Sequence, residues 1–340
     1  MSKYPKVAIL SPITHNLPPE GYGPWERVVY NLEEELVKLG VDVTVFATNQ
    51  ANIAAKKEYL FESPTGDKSG DDKLAVALLH TTHMLKQADK FDVLHLHHNI
   101  PPVLLTELTK TPSVTTLHGC GVEKSYDMYY PYIKDHNFIS LSDFERSFRP
   151  ELNYLDTVFN GVDQSLYGFN EQQGTYLLFS GRVVQSKGIM NAIELSHQTG
   201  IPLKIAGPNT EPEFFEQTIK PHIDGTKIEY LGNLSQDQLA KVITGALASV
   251  FLTEWPEPFG LSIVDSVISG VPAIVNKKGA QPELINTPEL GIVVDSIQDA
   301  ATKIEEIKKI NRKECQIAAK KLFSRETMAK KYLENYLKLV

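Results

Sequence analysis

Cysteine is scarce in this chain, and long apolar runs are missing from it. Two cysteines among 340 residues, Cys120 and Cys315, cannot form a disulfide framework, so a reducing setting is expected. No stretch is long and apolar enough to span a bilayer. The first residues lead directly into the apolar run Val7–Leu10, which predicts that no signal peptide is present. Together these absences predict a cytoplasmic protein.

A basic excess is also missing. The 34 lysines and arginines are outnumbered by 42 acidic residues, which gives a net charge of −8 and argues against nucleic-acid binding. In the segment 51–73, four lysines are mixed with five acidic residues. That mixture disfavours an anchor for anionic membranes, although weak peripheral contact through a local patch stays open.

Apolar runs alternate with amphipathic stretches along the whole chain. This alternation is typical of α/β proteins with doubly wound parallel sheets, and the length suggests about two domains. The two halves meet near Asn160, which predicts two facing Rossmann-like domains with a cleft between them. The predicted strands are Val7–Leu10, Asp42–Ala47, Phe91–His97, Ser113–Leu117 and Asn137–Leu141 in the first half, and Tyr176–Ser180, Leu203–Ala206, Ile228–Leu231, Ser249–Leu252, Ala273–Val275 and Gly291–Val294 in the second.

An acidic loop joins a predicted strand to a predicted helix in the second half. Glu257 lies just before Gly260, where the helix can begin, and Asp265 follows within that helix. Ligands of such units lie beyond the carboxyl end of the strand, where N–H groups of the helix start favour an anion. A carboxylate beside an anion site suits a ligand that carries hydroxyls as well as phosphates, such as a nucleotide-sugar.

This run resembles the E-x7-E motif of retaining glycosyltransferases of family 4, also called glycosyl transferases group 1, which have the GT-B fold. Other segments resemble the family's motifs in the same order and spacing. They are the glycine loop Gly21-Tyr22-Gly23 with the helix after it, Leu117-His118-Gly119, Asn160-Gly161-Val162-Asp163, and the G-R-x4-K-G segment Gly181–Gly188. Asp265 departs from the family, which usually has Glu at that position.

The resemblance implies an α/β, GT-B architecture of two facing Rossmann-like domains with an interdomain cleft. An acceptor-binding domain would comprise residues 1–161 and a C-terminal helix at 322–340, and a donor-binding domain residues 162–321. It also implies a division of labour among the site residues. Glu257 and His118 would approach the donor sugar, Asp265 would bind the ribose, and Arg182 and Lys187 would neutralise the diphosphate. The remaining donor contacts would come from Gly21, Gly23, Phe259, Gly260 and Leu261.

Each of these residues also has a plain structural interpretation. Arg182 and Lys187 can be solvated loop charges, Glu257 can favour the helix dipole, and His118 can be a hydrogen-bonded structural histidine. The glycine loop can be a simple turn, and it lacks the third glycine of a G-x-G-x-x-G dinucleotide fingerprint.

Histidines and tyrosines suggest further sites. A metal site is suggested by His95, His97 and His98, but no carboxylate or cysteine joins them at ligand spacing. We favour the interpretation that His97 or His98 lines the acceptor side. Cys120 beside His118 lacks the surroundings of an acyl-transfer nucleophile. The cluster of Tyr126, Met128, Tyr129, Tyr130 and Tyr132 is typical of core and rim packing. Family members need no metal, so no metal or other cofactor is expected.

The sequence therefore predicts a retaining glycosyltransferase of the hexosyltransferase type. It would move a sugar from a nucleoside diphosphate, with UDP favoured because it is the commonest donor nucleotide, to a hydroxyl of a sugar, lipid-linked or small-molecule acceptor. A GT-B phosphorylase and a nucleotide-sugar epimerase are alternatives, and release of nucleoside diphosphate would distinguish them. The third alternative is a sugar-nucleotide binding protein without activity, which binding without turnover would favour.

Overall fold

The computed structural model describes residues 3–21, 23–97, 101–119 and 124–340, except for the side chain of Pro101. It divides the chain into two compact units. The N-terminal unit comprises Met1–Gly161 and Arg325–Val340, and the C-terminal unit comprises Val162–Ser324. The sequence-based boundary between residues 321 and 322 lies close to the division between Ser324 and Arg325. In the described part of the chain, no helix is both long and apolar enough to cross a membrane.

The N-terminal unit contains a seven-stranded sheet in which every neighbouring pair is parallel. Its strands are β1 Lys6–Leu10, β2 Asp42–Thr48, β3 Lys56–Phe61, β4 Val93–Leu96, β5 Ser113–Thr116, β6 Asn137–Ser140 and β7 Asn153–Thr157. Their spatial order is β3-β2-β1-β4-β5-β6-β7. The order reverses between β1 and β4, which is the point where open α/β sheets bind ligands.

Helices cover this sheet. They are α1 Pro24–Lys38, α2 Gly70–Leu85, α3 Tyr130–Ile133 and α4 Asp143–Ser147, joined by the last helix of the chain, α13 Arg325–Leu337. Helix α1 begins with proline after Gly23 and buries an apolar stripe, as expected for an amphipathic helix. The Asn31 side chain of α1 donates to Gly161 O at 3.0 Å, and Arg325 forms an ion pair with Glu35 of α1. The ion pair attaches the returning helix to the N-terminal unit.

The C-terminal unit repeats the design with a six-stranded parallel sheet. Its strands are β8 Tyr176–Ser180, β9 Leu203–Ala206, β10 Ile228–Tyr230, β11 Ala246–Phe251, β12 Ala273–Asn276 and β13 Gly291–Val294. Its helices are α5 Ile189–Thr199, α6 Pro212–Phe214, α7 Gln236–Thr244, α8 Leu261–Ile268, α9 Gln281–Leu284, α10 Ile297–Thr302, α11 Ile304–Ile307 and α12 Arg312–Phe323. The order β10-β9-β8-β11-β12-β13 reverses between β8 and β11. The prediction of two doubly wound Rossmann-like units is confirmed.

Two strands were not predicted from the sequence. Strand β3 lies at one edge of the N-terminal sheet and β7 at the other, and both are only partly buried. Edge strands need no continuous apolar run, so the polar residues of Lys56–Phe61 and Asn153–Thr157 concealed them. Fully buried strands, such as those at Val7–Leu10 and Ala246–Phe251, were predicted because they are continuous apolar runs.

Candidate functional site

The first candidate site lies at the reversal point of the C-terminal sheet. The loop after β8 carries Arg182 and Lys187, and the loop after β11 carries Glu257 and leads to α8. Strands β8 and β11 are hydrogen-bonded neighbours, and parallel strands end at the same edge of a sheet. The topology therefore brings the two predicted motifs together, although 70 positions separate Lys187 from Glu257.

A glycine allows these two loops to pack closely against each other. Gly188 has φ +71°, and a Cβ at this position would lie 1.9 Å from Leu252 O. The backbone N–H groups of Glu254 and Trp255 both donate to Ser186 O, at 2.9 and 3.0 Å. Only glycine permits this backbone conformation and this approach together, so the loops form one continuous surface.

Lys187 and Glu257 form an ion pair on that surface. Their side chains are 25% and 14% exposed, so the pair is accessible to a ligand. The main chain of Glu257 is held from behind, because Ala280 N donates to Glu257 O at 2.8 Å. A Cβ on Gly279 would lie 2.2 Å from the same oxygen. Arg182 is exposed and forms no ion pair with any residue that the structure describes.

Helix α8 begins beside this ion pair. Gly260 precedes its first residue with φ +137°, and its carbonyl accepts from Ile263 N and Val264 N. The N–H groups of Leu261 and Ser262 therefore have no partner within the helix, which makes the helix start suitable for an anion. A Cβ built on Gly181 would meet only the Ser262 hydroxyl, at 4.0 Å, so there is space between the β8 loop and α8.

Two other predicted contacts of this helix have different surroundings. The side chain of Phe259 is buried, so it packs in the core. Asp265 is 4% exposed, and its Oδ1 accepts a hydrogen bond from the Tyr167 hydroxyl at 2.5 Å. Tyr167 lies 98 positions away and no sequence pattern pointed to it. A carboxylate that accepts one hydroxyl hydrogen bond can accept further ones from a ribose.

The ends of β8 and β9 also approach closely. Gly207 has φ +146°, and a Cβ there would lie 1.9 Å from Gly181 O. The Tyr230 hydroxyl donates to Gly207 O at 3.0 Å. These contacts pack backbone groups of the loops after β8 and β9 closely together, and we call this surface the backbone wall.

The second candidate site lies at the reversal point of the N-terminal sheet. Gly23 precedes α1, and a Cβ there would lie 2.7 Å from Pro19 Cβ, so the loop packs too tightly for a larger residue. Gly21 is exposed, with open space around its Cα, and it carries no such constraint. Tyr22, between them, lies outside the described residues. Glu26 of α1 is buried and accepts from His15 N at 3.1 Å.

His118, two residues beyond β5, belongs to a buried group that we call the histidine layer: His95, His97 and His118. His118 Nε2 lies 2.9 Å from His97 Nδ1, and the rings of His95 and His97 are 4.1 Å apart. Trp25 of α1 stacks on His118 at 5.3 Å, a partner that no motif pointed to.

Burial decides the charge of these rings. Desolvation lowers the pKa of His118 to about 3 and, with a smaller contribution from His118, the pKa of His95 to about 3. Burial also lowers the pKa of His97, and the two neighbouring histidines lower it further. All three rings are therefore neutral at neutral pH, and each offers one donor and one acceptor nitrogen.

A buried carboxylate fixes the turn that follows His118. Glu145 of α4 accepts from Gly119 N at 2.6 Å through Oε1 and from Leu141 N at 2.9 Å through Oε2. It thereby ties the loop after β5 to the loop after β6. Gly119 has φ +94°, a conformation that suits glycine.

The other predicted possibilities lie apart from these sites or outside the described residues. Among the described residues, no group of three or more histidine, cysteine, aspartate or glutamate side chains is arranged to hold a metal ion. His98 and Cys120 lie outside those residues. In the aromatic cluster, Tyr130 is buried in the core, as predicted, whereas Met128 and Tyr132 are exposed.

Family models match both halves of the chain. The model described as Glycosyltransferase Family 4 matches residues 25–159, and the model described as Glycosyl transferases group 1 matches residues 168–322. A curated relative, the glycogen synthase of Mycobacterium tuberculosis, is 22% identical over 231 residues, which are 59% of this chain and 56% of that protein. The match thus spans little more than half of that relative's length.

Solved structures match over almost the whole chain. Sucrose-phosphate synthase from Thermosynechococcus elongatus has a TM-score of 0.80 at 16% identity, covering 98% of this chain and 99% of its own. Anabaena Alr3699/HepE in complex with UDP-glucose has a TM-score of 0.73 at 14% identity, covering 99% of this chain and 100% of its own. At such identities the likeness concerns the fold, which is the two-domain, Rossmann-like GT-B fold.

Proposed function

The chain belongs to glycosyltransferase family 4, and we propose that it transfers a sugar from a nucleoside diphosphate to an acceptor hydroxyl with retention of anomeric configuration. One observation carries the proposal. Lys187, Glu257 and the start of α8 share one accessible surface at the reversal point of the C-terminal sheet. That surface pairs a cation and a helix start, which suit phosphates, with a carboxylate, which suits hydroxyls.

In this proposal the donor's diphosphate lies at the start of α8. Arg182 and Lys187 neutralise it, and the N–H groups of Leu261 and Ser262 bind its oxygens. Asp265 accepts hydrogen bonds from the ribose hydroxyls. The base lies toward the backbone wall at Gly181 and Gly207, where close packing favours recognition by main-chain groups. UDP is the proposed nucleotide, and the complex of Anabaena Alr3699/HepE with UDP-glucose supports it.

Glu257 binds hydroxyls of the donor sugar in this account. Its ion pair with Lys187 supports that role over that of a nucleophile, because the ammonium group already occupies one oxygen of the carboxylate. We therefore favour a displacement on one face of the sugar. The bond from the anomeric carbon to the phosphate oxygen breaks, and its electron pair leaves with the diphosphate. The acceptor oxygen bonds to the same face, and its proton passes to the departing phosphate.

Stabilisation of the departing diphosphate is the main electrostatic task. One further negative charge develops on the distal phosphate as the bond breaks, and preorganised donors lower the free energy of that state most effectively. Arg182, Lys187 and the helix start supply such donors. We propose that they do so without a divalent metal ion.

A binding and turnover panel tests the proposal. UDP-, GDP-, ADP- and dTDP-sugars are screened by thermal shift, because a ligand that binds only the native state raises Tm. The best donor is then incubated with a set of sugar acceptors, and free nucleoside diphosphate is measured. Wild-type protein should release nucleoside diphosphate and Glu257→Ala should not. Epimerised donor, release of a sugar 1-phosphate from an added glycoside and inorganic phosphate, or binding without any turnover would favour one of the alternatives.

A further inference from the structure

His97 is the nearest polar partner of His118 in the histidine layer. Its Nδ1 lies 2.9 Å from His118 Nε2, within hydrogen-bonding range for two nitrogens. Both rings are buried, so water does not compete for this bond. Because both are neutral, the bond contains one proton, and either ring can be its donor.

The surroundings of His97 decide which ring donates. His97 Nε2 is buried and has no hydrogen-bond partner among the described residues. If His118 donated, His97 would carry its proton on that nitrogen, and this buried N–H would have no acceptor in the part of the chain that the structure describes. If His97 donates from Nδ1, Nε2 is only an unused acceptor. Buried N–H groups without a partner are the rarer case in proteins, so His97 is the donor.

Ring packing on its other side holds His97 in place, because the ring of His95 lies 4.1 Å away. Its neighbour His95 contacts the Tyr336 hydroxyl at 2.7 Å through Nδ1 and the Thr116 hydroxyl at 2.8 Å through Nε2. Thr116 in turn contacts the Tyr332 hydroxyl at 2.9 Å. Both tyrosines belong to α13 and are fully buried. The returning helix thus packs against the histidine layer through these two tyrosines, and Trp25 stacks on His118.

We propose that His97 is a positioning residue that donates Nδ1–H to His118 Nε2 and so holds His118 as the neutral Nδ1–H tautomer, which donates to a hydroxyl oxygen of a bound sugar. The sugar in this statement rests on the proposed function; the tautomer does not. In this form the acceptor nitrogen of His118 is occupied by His97. His118 then acts as a hydrogen-bond donor and not as a general base.

Nuclear magnetic resonance of the whole chain tests the tautomer directly. Long-range proton–nitrogen correlations distinguish the protonated ring nitrogen of each histidine, and the His118→Gln spectrum assigns the signal of His118. The expected result is a proton on Nδ1 of His118 and no titration between pH 5 and pH 8. A proton on Nε2 of His118 would overturn the proposal. This readout needs no substrate, so it stands even if the proposed function fails.

Two substitutions of His97 test positioning. In His97→Asn the side-chain amide can reach the place of Nδ1 and still donate, so the tautomer should persist and kcat should stay within about threefold. His97→Phe keeps a ring but removes the donor, so the tautomer should become mixed and kcat should fall tenfold to a hundredfold. Affinity for free nucleoside diphosphate, which lacks the sugar, should not change in either variant.

His136 offers a matched control. It is buried in the same unit, and burial lowers its pKa to about 4, but its partner at 2.9 Å is Thr115. His136→Phe should lower stability without altering kcat or the His118 signal. An equal loss of kcat in His136→Phe and His97→Phe would overturn the positioning role. If His97→Phe does not fold, the wild-type spectrum and the His97→Asn variant still test the tautomer of His118.

Donor hydrolysis without acceptor identifies the sugar. If hydrolysis and transfer fall equally in His97→Phe, the hydroxyl belongs to the donor sugar. If only transfer falls, it belongs to the acceptor. If neither falls while the tautomer changes, His118 does not bind a sugar through this donor.

Discussion

Replacement of Glu257 by glutamine should separate sugar chemistry from nucleotide binding. Glu257 pairs with Lys187, the residue that we assign to the diphosphate. The carboxylate therefore competes with the phosphates for the lysine and also repels them. Glutamine has the same shape, removes the negative charge and keeps a hydrogen-bonding end. Glu257→Gln should thus weaken the contact with the donor sugar while it strengthens the binding of free nucleoside diphosphate.

Both effects can be given a magnitude. Two like charges about 6 Å apart repel by roughly 1 kcal/mol in water and by about 3 kcal/mol at an effective dielectric constant of 20. Because the pair is partly exposed, we take the lower value, which corresponds to about fivefold tighter binding of nucleoside diphosphate. Two charge-assisted hydrogen bonds to sugar hydroxyls are worth about 3 kcal/mol together. Their loss in the transition state lowers kcat about a hundredfold.

Calorimetry with the free nucleotide and initial rates with the nucleotide-sugar measure the two effects. Glu254→Gln is the matched control, because it removes the same charge from an exposed position of the same loop and should change either quantity less than twofold. Tenfold weaker binding of nucleoside diphosphate to Glu257→Gln, or a wild-type kcat in this variant, would contradict the roles assigned to Glu257 and Lys187.

Further predictions concern the ribose, the loop contact, metal ions and pH. Asp265→Ala should lower affinity for UDP about tenfold but leave that for 2′,3′-dideoxy-UDP unchanged; equal losses for both nucleotides would exclude a ribose contact. Gly188→Ala should lower the free energy of unfolding by about 2 kcal/mol more than Gly200→Ala, which has a similar φ of +69° but open space around it; equal losses in urea denaturation would contradict the loop contact. Excess EDTA should leave the transfer rate nearly unchanged, whereas strict dependence on Mg²⁺ or Mn²⁺ would contradict the proposed charge neutralisation. Because the pKa values of the histidine layer are lowered, the unfolded chain binds more protons than the folded protein below pH 6.5. The free energy of unfolding should therefore fall by roughly 1 kcal/mol per histidine from pH 6 to pH 5. A flat profile of this free energy against pH would show that the rings are not buried as neutral groups.

The sequence was sufficient for the architecture where burial is complete. Runs such as Val7–Leu10 and Tyr176–Ser180 lie in the centre of parallel sheets and have to be apolar on both faces. The edge strands β3 and β7 face solvent on part of their surface, and their sequences resemble loops. The start of helix α2 at Gly70 is similarly hard to predict, because its first turn is polar and has no apolar periodicity.

For the candidate site, the sequence identified motifs but not pairs. The resemblance singled out Lys187, Glu257 and Asp265 one by one, and their proposed roles await the experiments above. The Lys187–Glu257 and Tyr167–Asp265 contacts join residues that are far apart in the chain, and only the tertiary fold brings them together. The same holds for the contact of Tyr336 with His95, which depends on the return of the last helix to the N-terminal unit.

The most direct test of the account is proton NMR of one reaction of the wild-type protein with its best nucleotide-sugar and acceptor. The anomeric proton of the donor, coupled to phosphorus, should disappear as free nucleoside diphosphate accumulates. A new anomeric signal with the configuration of the donor should appear at the same rate. A product of inverted configuration would contradict retention, and consumption of donor without a new glycosidic bond would contradict glycosyl transfer itself.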